Sequence, residues 1–190
     1  CDRCKTEYPD DVKLCPNDGA QTKNRSDAPK APPVDPLIGR MVGSYKLTKQ
    51  LGKGGMGAVY IGEHPAIGSK VAVKFLHPQY AQMHEVVTRF FNEAKAVNLI
   101  KHDNIVQVSD FFYLDDEMPC FVMEFLDKGY PMTKLVGKPQ PLEITGPIFL
   151  QICDALQAAH DKQIIHRDLK PDNVFLAVRN YRKHFVKVMD

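Results

Sequence analysis

The 190-residue chain contains no tryptophan, and only 9% of its residues are aromatic. It also lacks an apolar run approaching the roughly 20 residues of a membrane-spanning helix, because charged residues, glycine or proline interrupt every hydrophobic stretch. The net charge of +2 is too small to favour a nucleic-acid binder driven by phosphate neutralisation. With 44% hydrophobic and 25% charged residues, the composition predicts a globular protein without a nucleic-acid partner.

The five cysteines are too unevenly placed for a disulfide framework. Cys1, Cys4 and Cys15 lie within the first fifteen residues, whereas Cys120 and Cys153 are isolated in apolar stretches. This pattern favours a reducing, cytoplasmic setting, in which the last two cysteines are small core residues.

The first three cysteines, together with Asp18, have the outline of a small zinc ribbon. The spacing Cys1-x2-Cys4-x10-Cys15-x2-Asp18 offers three thiolates and a carboxylate, an acceptable tetrahedral set for Zn²⁺. Such a metal could hold together twenty residues that are too few to bury a core. The alternative is a flexible tail with reduced cysteines.

Composition divides the chain into three zones. Residues 1–20 are the zinc-ribbon-like segment, and residues 21–37 form a proline-rich linker that we expect to be extended. From residue 38 to residue 190 the pattern is globular.

Short alternating runs in the globular zone predict strands, and two segments with apolar residues at helical spacing predict helices. The fold class is therefore α+β, arranged in two lobes, with the β-rich lobe at about 38–126 and a helical lobe from 127 to 190. The predicted strands are 45–51, 58–62, 70–76, 105–113, 120–126, 173–178 and 185–189, and the predicted helices are 86–100 and 142–160.

A glycine motif, G-x-G-x-x-G-x-V, begins at Gly52 and ends at Val59. Glycines permit positive φ and close backbone approach, so amide groups in such a loop can point at a phosphate. A surface hairpin would also explain the motif. A dinucleotide-binding fingerprint fails on context, because a strand rather than a helix follows the glycines.

Two charged residues follow the glycine motif in apolar surroundings. Lys74 closes the aliphatic run Val71-Ala-Val-Lys, and a fixed ammonium beside a glycine loop suits a polyphosphate. Glu93 is expected near the apolar face of the first helix, where a carboxylate needs a cationic partner. Lys74 is the natural candidate.

The segment His166-Arg-Asp-Leu-Lys-Pro-Asp-Asn173 places three chemically distinct groups within six residues. The carboxylate of Asp168 can orient a hydroxyl, the ammonium of Lys170 can stabilise developing phosphate charge, and the amide oxygen of Asn173 is a hard ligand for Mg²⁺. A polar turn between two strands is the alternative interpretation.

These four segments, in this order, resemble the signatures of a eukaryotic-type protein kinase domain over residues 40–190, and Lys170 in HRDLKPDN resembles the serine/threonine class. The N-terminal segment resembles the ribbons that precede some bacterial kinases of this class. The resemblance implies an ATP- and Mg²⁺-dependent enzyme, with Mn²⁺ as a possible substitute, that phosphorylates Ser or Thr of protein substrates.

The resemblance also implies residue roles. Asp168, Lys170, Lys74 and Glu93 would be catalytic, and Asn173 and Asp190 would bind Mg²⁺. The nucleotide would contact the glycine loop, the purine pocket and the hinge, which comprise Leu51, Gly52, Lys53, Gly54, Gly55, Met56, Gly57, Ala58, Val59, Ala72, Lys74, Met123, Glu124 and Leu126.

In the family pattern Asp190 is the first residue of Asp-Phe-Gly, so we expect this chain to be a fragment, inactive and prone to aggregate, of a longer parent. The resemblance is also compatible with a membrane anchor in the part of that parent beyond residue 190. A pseudokinase or scaffold module, and a zinc-dependent interaction protein, are the competing functional classes. The remaining histidines are expected at surface or packing positions without a catalytic role: His64, His77, His84, His102, His160 and His184.

Overall fold

A computed structural model of the chain describes residues 3–6, 12–21, 35–115, 117–179 and 182–189, with the side chain of residue 182 excluded. The chain divides into two compact units, Cys1–Pro36 and Leu37–Asp190. Most of the predicted proline-rich linker lies outside the described residues. In the described part of the chain no helix is both long and apolar enough to cross a membrane.

The first unit contains a small hairpin at residues 12–21. Leu14 and Gln21 form an antiparallel bridge, and the amide of Cys15 donates to the carbonyl of Ala20 at 2.8 Å. Gly19 closes the turn by donating its amide to the Cys15 carbonyl at 2.9 Å, and its φ of 65° lies in the region that favours glycine. The turn brings Asp18 back toward Cys15.

The second unit begins with a six-stranded antiparallel sheet of spatial order β1-β2-β3-β4-β6-β5. Its strands are β1 (Met41–Val42), β2 (Tyr45–Lys53), β3 (Gly57–Glu63), β4 (Lys70–Leu76), β5 (Val108–Leu114) and β6 (Met118–Glu124). The alternating apolar runs of the sequence form these strands because one face of the sheet covers a core that includes Leu47, Val73 and Val122.

Two helices, α1 (Pro78–Ala81) and α2 (His84–Ile100), follow β4. Helix α2 buries Phe90 and Ala94, four residues apart, against β5 and β6, where Phe90 packs on the ring of Phe121 with centroids 4.8 Å apart. The helix is thereby fixed to the end of the sheet formed by β6 and the edge strand β5.

A three-stranded antiparallel sheet and helix α3 (Leu142–His160) complete the unit. The strands are β7 (Gly129–Pro131), β8 (Val174–Arg179) and β9 (Arg182–Val188). Helix α3 packs Ile148 and Ile152 into a core that also contains Leu176 and Val186. Short 3₁₀ turns occupy 132–135 and 171–173.

Every predicted strand except 70–76 has different limits in the structure, and two of them show why. The run 105–113 was expected to be one strand, but β5 starts at Val108, because Ile105 instead forms a parallel bridge with Val188. The run 120–126 becomes β6 at Met118–Glu124, and residues 125–126 leave the sheet. The predicted bounds of β4 and α3 are confirmed.

Candidate functional site

A cavity of about 580 Å³ lies between the six-stranded sheet and the segment containing α3 and the second sheet. Its walls are mostly apolar, as is typical of ligand pockets of this size. Nine of the predicted site residues line it: Leu51, Gly52, Val59, Ala72, Lys74, Glu93, Met123, Glu124 and Leu126. Ala155 of α3 and Val188 of β9 also line it, so the structure gathers residues from both ends of the chain's globular part into one pocket.

The glycine-rich loop is the turn between β2 and β3, where the amide of Gly54 donates to the carbonyl of Gly57 at 2.8 Å. None of its four glycines, all within the described residues, has a positive φ. The prediction that these glycines adopt positive φ is therefore wrong. Gly57 is needed for a different reason. A Cβ on Gly57 would lie 2.0 Å from the carbonyl oxygen of Phe75, so only glycine allows this approach.

Other predicted residues of the loop differ in their surroundings. Residues 53–56 form its exposed tip. Ala58 is 6% exposed and its side chain packs in the core of the sheet rather than lining the cavity, so at this position only the backbone can take part in the predicted nucleotide contact. The alternation of β3 turns Ala58 inward and Val59 toward the cavity.

Lys74 and Glu93 line the same cavity from β4 and α2. The Lys74 ammonium lies 5.8 Å from the centroid of the Phe121 ring, within the range of a cation–π contact. Glu93 is exposed rather than on a buried apolar face as expected, because the neighbouring positions Phe90 and Ala94 take the core-facing stripe of α2. Its side chain thus lines the cavity without entering the buried core.

The segment after β6 forms one wall of the cavity through Glu124, Phe125 and Leu126. The Glu124 carboxylate does not project freely into the cavity. Its Oε1 accepts the Gln107 amide at 2.9 Å and pairs with the buried ammonium of Lys187 at 2.5 Å. Lys187 could not be predicted from the sequence, since no local pattern identifies a partner 63 residues away.

The loop at 166–173 brings its three predicted groups into direct contact. The Lys170 ammonium donates to Oδ2 of Asp168 at 2.7 Å, and the amide nitrogen of Asn173 donates to the same oxygen at 3.1 Å and to the Asp168 carbonyl at 2.9 Å. The pKa of Asp168 is held below its usual range mainly by the hydrogen bond from Lys170. Desolvation opposes this with a smaller effect than that hydrogen bond, while the positive charge of Lys170 and the hydrogen bond from Asn173 lower the pKa further. Asp168 is therefore an ionised, exposed carboxylate at neutral pH.

His166 lines the cavity two residues before Asp168. Its Nε2 lies 3.1 Å from the Met189 carbonyl, and because a carbonyl only accepts, Nε2 carries the proton. Its Nδ1 is buried and has no hydrogen-bond partner among the described residues. Asp190, predicted to bind Mg²⁺, lies outside the described residues.

In the first unit, Cys4, Cys15 and Asp18 place one ligand atom each within 4.8 Å of one another. The sulfur atoms of Cys4 and Cys15 are 3.4 Å apart. The Ala20 amide, followed by the Cys15 thiol, holds the pKa of Asp18 below its usual range. Cys1, the fourth predicted ligand, lies outside the described residues.

Residues 45–190 match the protein kinase domain family. The chain is 52% identical over 163 residues to the serine/threonine-protein kinase Pkn1 of Myxococcus xanthus, an alignment that covers 86% of this chain and 23% of Pkn1. It is 34% identical over 143 residues to the serine/threonine-protein kinase PrkC of Bacillus subtilis, covering 74% of this chain and 22% of PrkC. This chain thus spans about a quarter of the length of these curated relatives.

A crystal structure of the Mycobacterium tuberculosis PknI kinase domain has the same fold, with a TM-score of 0.64 at 26% identity. The match covers 80% of this chain and 60% of that structure. Sequence and fold thus agree with the arrangement of the cavity, the glycine-rich loop and the loop at 166–173. The chain belongs to the protein kinase family, as a relative of bacterial serine/threonine kinases.

Proposed function

We propose that the protein containing this chain is a serine/threonine kinase that transfers the γ-phosphate of ATP to Ser or Thr hydroxyl groups of proteins. The observation that carries the proposal is the Asp168 carboxylate, held ionised by Lys170 and Asn173 beside a cavity that also contains Lys74 and Glu93. Longer relatives of this chain carry the name serine/threonine-protein kinase, which supports the same reaction.

Asp168 orients the attacking hydroxyl and accepts its proton. Because Lys170 and Asn173 both donate to Oδ2, Oδ1 is the carboxylate oxygen left to face the substrate hydroxyl. Lys170 stabilises negative charge on the transferring group, since its ammonium lies beside the proton acceptor.

The cavity holds the nucleotide. Ala72 is buried and pairs in register with Met123, so the two side chains and Leu126 form an apolar slot for the adenine. Lys74 binds the phosphates, with Glu93 as its counter-charge on α2.

A divalent cation fits the donor set. Asn173 uses its nitrogen for both hydrogen bonds to Asp168, which leaves its amide oxygen as a hard ligand, and Asp190 would supply a carboxylate. When bound, Mg²⁺, or Mn²⁺ in its place, neutralises phosphate charge.

The test is phosphate transfer from labelled ATP by the protein extended through the rest of the kinase domain. Wild type is compared with Asp168→Asn, and Asp172→Asn, an exposed neighbour, is the matched control. Label on Ser or Thr that is lost only in Asp168→Asn supports the proposal. Bound ATP without transfer in wild type under activating conditions would instead indicate a pseudokinase or scaffold.

For the first unit we propose a structural zinc site formed by Cys4, Cys15, Asp18 and Cys1, which would act as a docking module rather than in catalysis. The clustering of three ligand atoms within 4.8 Å favours it. With Zn–S bonds of about 2.3 Å, tetrahedral geometry places two sulfurs ~3.8 Å apart, so the 3.4 Å between Cys4 and Cys15 requires only a small adjustment. Thiolates also imply a reducing, cytoplasmic setting for this part of the protein.

Metal analysis of purified protein tests the zinc proposal. We expect one zinc per chain, lost in Cys15→Ser and retained in Cys153→Ser, whose thiol is exposed on α3. Kinase activity should survive removal of residues 1–36. Equal metal content in both variants would contradict the assignment.

A further inference from the structure

The tip of the glycine-rich loop is attached to the residue that follows β4. The His77 amide donates to the Met56 carbonyl at 2.9 Å, and the Nε2 atom of the same residue lies 2.9 Å from the Gly54 carbonyl. One residue therefore contacts two carbonyls of the loop, one through its backbone and one through its side chain. The sequence analysis assigned His77 only a surface or packing role.

The chemistry of the contact defines the state of the ring. A backbone carbonyl has no proton to donate, so His77 Nε2 must carry the hydrogen and donate it to Gly54. A side chain without a donor at this position could not replace the imidazole. The interaction is therefore a specific hydrogen bond rather than generic packing.

His77 is itself held firmly. Its carbonyl accepts the Tyr80 amide at 2.9 Å, and it precedes Pro78, the first residue of α1, with an extended backbone. Proline restricts the residue before it to such extended conformations. The imidazole thus projects from a backbone that is fixed on both sides.

The position of His77 connects the loop to the phosphate-binding lysine. Lys74 lies on β4, three residues before His77, so the same strand end sets the positions of both the Lys74 ammonium and the loop tip. Phosphates bound between loop amides and Lys74 need these two elements at a fixed separation.

We propose that His77 is a positioning residue that holds the glycine-rich loop over the nucleotide phosphates. This inference rests on the proposed kinase function. It predicts that loss of the Nε2 donor loosens the loop and weakens productive ATP binding, while binding of the protein substrate is unaffected.

The first experiment is hydrogen exchange of the amides of residues 51–57 without nucleotide, which requires no kinase activity. His77→Leu should raise their exchange rates about fivefold, the effect of losing one net hydrogen bond. His77→Gln, whose amide nitrogen can reach the place of Nε2, should restore slow exchange, whereas the shorter side chain in His77→Asn should not. His84→Leu, an exposed histidine at the start of α2, is the matched control.

The second experiment measures kinetics in the same variants. His77→Leu should raise KM for ATP about fivefold and leave KM for the peptide substrate unchanged, and His77→Gln should recover most of the loss. Unchanged exchange in His77→Leu, or a His77→Gln variant as impaired as His77→Asn, would overturn the inference. If His77→Leu fails to fold, the comparison of Gln with Asn still decides. If the wild type does not transfer phosphate but the His77 variants show the predicted exchange rates, the kinase function would be refuted and the attachment of the loop by His77 would be retained.

Discussion

The two loops beside the cavity are held in different ways. In the loop at 166–173 Asp168 is held from within: its amide donates to the His166 carbonyl at 2.8 Å, the Asn173 amide donates to the Lys170 carbonyl at 2.9 Å, and the Lys170 and Asn173 side chains both donate to the Asp168 carboxylate. Met189, just after β9, adds contacts to the two ends of the loop at His166 and Asn173. The glycine-rich loop has one internal hydrogen bond, from the Gly54 amide to the Gly57 carbonyl, and otherwise depends on residues outside it, through the packing of Gly57 against Phe75 and through His77.

This difference predicts which substitutions will disturb each loop. A loop with internal restraints keeps its geometry as long as its own sequence is intact. A loop held from outside responds to changes in a neighbouring strand that never touches the ligand. Substitutions at the two loops should therefore separate loss of turnover from loss of nucleotide binding.

The largest effect is expected for Asn173→Ala, which removes the two hydrogen bonds that the Asn173 side chain donates to Asp168 and the proposed cation ligand. Turnover should fall about a thousandfold, in the range typical of general-base and electrostatic contributions. Asp172→Ala, a change at the exposed neighbouring position, should stay within a few-fold of wild type. Steady-state rates at saturating ATP measure this, and comparable losses in both variants would show that the loop as a whole, not Asn173, matters.

Lys74→Met should reduce kcat/KM about a hundredfold, because a charged hydrogen-bonding partner of the phosphates is lost. The fold should be retained, since the methionine can occupy the space of the aliphatic stem beside Phe121. Lys70→Met, at the exposed start of the same strand, is the control. Near-normal activity in Lys74→Met would show that Lys74 does not bind the phosphates.

Gly57→Ala tests the external attachment of the glycine-rich loop. The added Cβ meets the Phe75 carbonyl at 2.0 Å, so the loop or β4 must shift, at a cost of about 2 kcal/mol in the free energy of unfolding. Gly55→Ala is the matched control, because among the described residues no atom lies within 4 Å of its added Cβ. Thermal unfolding of the two variants should differ clearly. Equal midpoints would mean that the loop is not pressed against β4 in solution.

The smallest effect concerns pH. Lys170 is the main cause of the lowered pKa of Asp168, so Lys170→Met should raise that pKa toward its ordinary value of 3.8. A carboxyl group whose pKa is lowered by folding is ionised at any pH above that pKa, and it becomes protonated as the pH falls below that value. The acid limb of the pH–rate profile should therefore move to higher pH in Lys170→Met, and remain in place in Lys162→Met.

Much of the fold follows from local patterns. The bounds of β4 and α3 could be predicted because their apolar residues repeat at the strand and helix periods, and a buried face enforces each period. The three-residue strand β7 is too short to show a period. Residues 105 and 106 looked like part of β5, but their backbone partner is Val188, which no local pattern reveals.

The site could be predicted where chemistry is concentrated in sequence, as at Asp168, Lys170 and Asn173, whose contacts with one another lie within six residues. It could not be predicted where the partner is distant. Lys187 occupies a strand of alternating pattern, yet its ammonium is buried against Glu124. His77 looks like a surface residue until the loop folds back on it.

The parallel bridge between Ile105 and Val188 has a consequence for how the protein is made. All pairings of the six-stranded sheet join residues from Met41 to Glu124, so this sheet can form once that stretch has left the ribosome. The bridge, and the bond from the Val106 amide to the Val188 carbonyl, need a chain more than sixty residues longer. During synthesis the sheet is thus assembled first, and the pocket closes only when β9 arrives.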